Sequence, residues 1–166
     1  MKGKIFTEKD INLAIFILAS LLVANIFLGV CKVDGSSMSP TLESGNYKFY
    51  FKDNKLSRPL IRYKLGDIVI AYEGNLFLIK RIAGLEGDVI TEKGKKIYNG
   101  DKLVGFLPPD YWNENLERQF TVPKDSLYIL GDNYSDSTDS RYFGCVQKSS
   151  LVGKLVKKLP LEVKEI

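Results

Sequence analysis

The sequence predicts a mainly β domain behind a single N-terminal transmembrane helix. Three observations carry this. Residues 11–30, INLAIFILASLLVANIFLGV, run for twenty positions without a charge. From Val33 onward, short runs of β-branched and aromatic residues alternate with Gly, Asp, Asn and Pro. After residue 31 no long stretch shows the 3.6-residue apolar period of a helix. The length of 166 residues suits one domain plus a small appendage.

About twenty residues at roughly 1.5 Å each span a hydrocarbon core of about 30 Å. Only Asn12, Ser20 and Asn25 interrupt the apolar surface of the run, so a buried core helix with a solvent face does not fit. A cleaved signal peptide has a shorter apolar region and a small-x-small exit, and Gly29-Val30-Cys31 is a poor one. A lipoprotein signal places a small residue just before the lipidated cysteine, where this chain has Val30. The reading is therefore an uncleaved anchor. Lys2, Lys4 and Lys9 precede it, whereas Lys32 is followed by Asp34. The positive-inside bias then puts the N-terminus in the cytoplasm. The expected organisation is a cytoplasmic tail over 1–10, an anchor over 11–30 and an extracytoplasmic domain over 31–166.

The expected strands are Tyr47–Phe51, Asp67–Tyr72, Leu76–Ile82, Asp88–Glu92, Lys96–Tyr98, Ser126–Leu130 and Leu151–Val156. Turn signals lie at 73–75, 86–88 and Asn99-Gly100. Residues 101–120, with Pro108, Pro109 and the only tryptophan, read as an irregular excursion.

Composition narrows the chemistry. The net charge of +4 comes from 24 basic and 20 acidic residues, interspersed, with no basic block of the kind a nucleic-acid face requires. There is no histidine. That removes Ser-His-Asp and Cys-His devices and most zinc sites. Cys31 and Cys145 fit no metal spacing, and the sequence leaves their pairing open.

A serine needs a base, and without histidine the usual substitute is a lysine kept neutral by burial. Lys80 stands in the apolar run 76–82. Strand alternation puts Leu76, Leu78, Lys80 and Ile82 on one face and Phe77, Ile79 and Arg81 on the other. A snorkelling edge-strand lysine fits the same pattern. The polar stretch GDNYSDSTDSRYFG, 131–144, reads as a solvated turn, as oxygen ligands for calcium through Asp132, Asp136 and Asp139, or as a support loop for the lysine. Its spacing does not match an EF-hand.

Three segments in order resemble the type I signal peptidases, membrane-bound Ser-Lys proteases, in their short Gram-positive form. SMSPTL at 37–42 resembles the nucleophile segment, LIKRIAGLEGD at 78–88 the lysine segment, and GDNYSDSTDSRYFG at 131–144 the last box. The resemblance implies a LexA-like β-barrel or sheet catalytic domain that cleaves signal peptides from exported preproteins without a cofactor or metal. It implies Ser37 as nucleophile and Lys80 as base. Ser137 would orient the lysine amine, supported by Asp139, Arg141 and Asp132. Met38 would pack beside substrate and lysine. Gly35 stands where some members carry an oxyanion-binding serine, so backbone N–H groups near Gly35, Ser36 and Ser37 would hold the oxyanion. Tyr134 and Ser135 depart from the common Arg-Asp. The implied partners are preproteins with small residues before the cut, membrane lipid and a neighbouring translocon, with no nucleic acid. The implied location is the plasma membrane, single-pass, with the catalytic domain outside. Alternatives are a specialised conjugation or pilin-type peptidase and an inactive anchored binding module.

Overall fold

The computed structural model describes residues 7–156. Lys2 and Lys4, on which the expected orientation partly rests, lie outside the described residues.

Helix α1 runs Glu8–Phe27. A capping box starts it: Thr7 Oγ1 accepts from the Asp10 N–H and the Thr7 N–H donates to the Asp10 carboxylate. None of its residues is buried, and its mean hydropathy is 2.1. An apolar surface exposed all round is what a lipid-facing helix presents. The expected span needs correcting at its end. Leu28, Gly29 and Val30 belong to strand β1, Leu28–Lys32. Their pairing opposite Phe51, Tyr50 and Phe49 overrides a composition that reads equally well as helix.

The other strands are β2 (Tyr47–Lys52), β3 (Ile68–Glu73), β4 (Leu76–Leu85), β5 (Val89–Lys93), β6 (Lys96–Asn99), β7 (Lys102–Phe106), β8 (Glu117–Thr121), β9 (Ser126–Leu130), β10 (Val146–Gln147) and β11 (Leu151–Leu155). A four-residue helix, α2, spans Ser140–Phe143. All seven expected strands are present. The expected irregularity of 101–120 is not, because β7 and β8 fall in it and pair with β6 and β5. β8 is mostly polar and exposed, so its sequence carries little strand signal, and cross-strand pairing forms it.

The strands make two antiparallel sheets, ordered β1-β2-β11-β3-β4-β9-β10 and β7-β6-β5-β8. In the larger sheet β9 is buried on both faces, as are residues 68–71 of β3 and 80–84 of β4. Leu127 and Ile129 of β9 pack with Val69, Ala71 and Ile82, whereas Tyr128 and Leu130 pack with Ile90, Ile97 and Val104 of the smaller sheet. A third cluster, Val33, Met38, Leu42, Ile68, Ile70 and Leu155, lies under the segment that follows β1.

Candidate active site

The segment 33–42 is held from below and at its ends. Met38 and Leu42 are each 2% exposed in the third cluster. The Ser39 N–H donates to the Ser36 carbonyl and the Leu42 N–H to that of Met38. Burying residues 38 and 42 leaves Ser37 at the turn's upper surface, half-buried. Gly35 adopts φ +81°, which an L side chain resists, so a serine there would strain this turn.

Lys80 lies in the part of β4 that pairs with β3, opposite Val69. It is 3% exposed, so the buried alternative holds and the snorkelling one does not. Its Nζ is 2.6 Å from Ser37 Oγ. Burial holds the amine below the usual lysine range. The Asp139 carboxylate opposes that shift and the Arg141 guanidinium reinforces it. The neighbouring cation, Arg81, meets a different partner: its Nε and Nη2 grip the Asp132 carboxylate at 2.8 and 2.6 Å. Its Nη1 donates to the Gly66 carbonyl.

The loop 131–144 closes over both. Asp139 is fully buried and accepts from the Gly131 N–H (2.8 Å), the Ser137 hydroxyl (2.7 Å) and both arms of Arg141 (2.7 Å each). Arg141 in turn donates to the carbonyls of Phe106, Tyr134 and Ser137. The Tyr134 ring packs edge-on against Phe106 at 5.3 Å. The expected network thus divides in two, Asp139 with Arg141 and Asp132 with Arg81. Ser137 bonds to Asp139, and among the described residues no hydrogen bond joins it to Lys80. A Cβ on Gly131 would collide with the Ser137 side chain and the Ser37 carbonyl, so glycine lets these two serines approach. The three carboxylates of the calcium reading are drawn to separate partners, Arg81, Ser36 and Arg141.

Sequence reasoning missed three contributors. Strand alternation puts Arg81 on the face away from Lys80 but does not reveal its pairing with Asp132. The Asn133 N–H donates to the Ser37 carbonyl (3.0 Å) and its Nδ2 to that of Ser36 (3.3 Å). The Asp136 carboxylate accepts from the exposed Ser36 hydroxyl. Loop 131–144 therefore clasps the Ser36–Ser37 backbone directly, across about a hundred residues of chain that no local pattern bridges. Cys31 and Cys145 are free thiols, both half-buried, and burial pushes both up.

Removing the charge from Asp139 leaves Arg141 buried and uncompensated. Asp139→Asn is expected to lower unfolding free energy by about 3–5 kcal/mol. A denaturant titration of the detergent-solubilised protein checks this, and an unchanged midpoint contradicts it.

A serine beside a buried lysine, in an antiparallel β fold behind an apolar helix and in a chain without histidine, is the make-up of a serine peptidase of the Ser-Lys class. The chain belongs to the signal peptidase family, peptidase S26, whose family model matches residues 9–159. It is 36% identical over 138 residues to a signal peptidase I of Bacillus caldolyticus, covering 74% of each chain. It is 30% identical over 158 residues to signal peptidase I P of Bacillus subtilis subsp. natto, covering 84% of this chain and 83% of that one. Among solved structures, a signal peptidase I from Enterococcus faecalis V583 superposes with a TM-score of 0.46 at 24% identity, over 58% of this chain and 98% of that one.

Proposed function

We propose that this protein is a membrane-anchored endopeptidase that removes signal peptides from exported preproteins, with Ser37 as nucleophile and Lys80 as general base. Family membership supports the reaction. The observation that carries the residue assignment is the 2.6 Å approach of Ser37 Oγ to an almost fully buried Lys80 Nζ.

With the amine neutral, the Ser37 hydroxyl donates to Nζ. As Oγ attacks the scissile carbonyl, Lys80 takes the proton and then delivers it to the leaving amine, and the same amine activates the water that clears the acyl-enzyme. Among the described residues the Ser37 N–H donates to no internal acceptor, which leaves it for the tetrahedral oxyanion. Ser137, Asp139 and Arg141 act by holding Gly131 and the wall beside Nζ. Asp132 and Arg81 hold the start of the same loop.

A cleft of about 500 Å³ runs past the dyad, with Met38, Tyr50, Ile70, Ile79 and Val152 among its walls. Apolar walls of this size suit small side chains before the cut, as in Ala-x-Ala. β4 pairs with β9 only from Arg81 onward, so residues 77–80 keep one free edge among the described residues. An extended substrate adds there as a strand.

Helix α1 is the anchor. Leu28, Val30, Phe49 and Phe51 share one exposed sheet face at its end, which supports contact of that face with membrane lipid. The tail faces the cytoplasm and the domain after the helix faces outward, beside the translocon from which signal peptides emerge.

The test uses the detergent-solubilised full chain and a preprotein with Ala-x-Ala before the mature sequence. The expected product begins directly after the second Ala by N-terminal sequencing. Cleavage elsewhere, or none under conditions where the protein is folded, contradicts the reading.

A further inference from the structure

The junction between α1 and the sheet contains no free linker. The Leu28 N–H closes the helix on the Ala24 carbonyl, and the same residue already pairs opposite Phe51. A helix end leaves its last carbonyls without internal partners. Here two of them are met from β2 and the turn after it. Lys52 Nζ donates to the Asn25 carbonyl at 2.7 Å, and Asn54 Nδ2 donates to that of Ile26 at 2.8 Å. The last turn of α1 has no basic residue of its own, so Lys52 also places a cation at the negative end of the helix dipole.

The clamp is itself braced. Asn54 Oδ1 accepts from the N–H groups of Leu56 and Ser57. The Ser57 hydroxyl, 2% exposed as a residue, accepts from the Asn54 N–H and donates to the Lys52 carbonyl. Beyond β1 the Val33 N–H donates to the Asn46 carbonyl and the Val33 carbonyl accepts from Gly45. The short path from the end of the helix to Ser37 is thus tied to the sheet along most of its length.

We infer that Lys52 and Asn54 are positioning residues that fix the height and tilt of the cleft on its anchor, so that the enzyme selects preproteins by the distance between the end of their apolar segment and the scissile bond. This rests on the function proposed above. A membrane-inserted apolar segment fixes the substrate's depth, as α1 fixes that of Ser37. A rigid junction brings the two together for one spacing, and a loose junction accepts several. Neither Lys52 nor Asn54 lines the cleft, so the chemistry itself is untouched by their loss.

The experiment places the full chain in vesicles of one lipid composition. The substrates are preproteins that differ only in the number of residues between the apolar segment and Ala-x-Ala. A water-soluble peptide with the same cleavage sequence and no apolar segment is the control. For the unaltered protein, kcat/KM is expected to fall about tenfold or more when the spacing departs from its optimum by a few residues, as misplacement of reacting groups costs. In K52A/N54A the preference flattens to about threefold or less while peptide hydrolysis stays within about twofold. Lys52→Arg, which still donates to the Asn25 carbonyl, keeps the preference. Insertion of Gly-Ser-Gly-Ser between Phe27 and Leu28 flattens it without altering any sheet residue, and reads the same effect if the double variant does not fold. An unaltered protein indifferent to spacing, or a loosened one that keeps the original preference, overturns the inference. Failure of the unaltered protein to cut peptide and preprotein alike overturns the functional proposal instead.

Discussion

Ser37→Ala is expected to lower kcat for preprotein cleavage by about 10⁴-fold or more, with KM little changed. In the proposed mechanism the hydroxyl is the attacking group, so its loss is expected to act on the chemical step rather than on substrate binding. The turn survives the change, because Met38 and Leu42 hold it from beneath and Asn133 holds its backbone. The matching control is Ser36→Ala. Ser36 is exposed and among the described residues its hydroxyl bonds only to Asp136, so activity stays within a few-fold, in keeping with about 1 kcal/mol for one such bond. Rates measured by product formation on one preprotein decide between the serines. An active Ser37→Ala with a dead Ser36→Ala would reverse the assignment.

Lys80→Met is expected to cause a loss of the same size in kcat. The unbranched thioether fills the volume of the lysine stem and offers no base. Stability should not fall, because the change takes a desolvated amine out of an apolar site. Circular dichroism melts of the solubilised protein should therefore show a midpoint equal to or above that of the unaltered chain. Lys80→Arg should be as inactive, since a guanidinium stays charged and cannot accept the Ser37 proton. Near-normal processing by either variant would remove Lys80 from the mechanism. A collapse of the fold in Lys80→Met would show that the amine is a structural element.

Much of this arrangement was legible in the chain because the informative signals are local. Alternation along 76–82 singled out Lys80, and the apolar run ending near residue 30 announced the helix. The missing histidine forced the search for a lysine. What escaped depends on pairing between distant segments. Leu28–Val30 looks helical until β2 lies beside it. Residues 117–121 look like a polar loop until β5 supplies the ladder. Asp132 could be assigned to the support loop, but only the fold shows that it holds Arg81, 51 residues away. The bond from the Asn133 main-chain N–H to the Ser37 carbonyl leaves no trace in composition, because a main-chain N–H is common to nearly every residue.

The central claim is that Lys80 works as a neutral base beside Ser37, and the pH dependence of kcat/KM on a single preprotein tests it most directly. Burial lowers the lysine's pKa, so protonation switches the enzyme off at the acidic end and deprotonation switches it on as pH rises through the depressed value. The account predicts a limb that climbs by about tenfold per pH unit and levels off below the pH at which an exposed lysine titrates. A rate that stays flat from mildly acidic to alkaline conditions, or that falls as pH rises over that range, would contradict it.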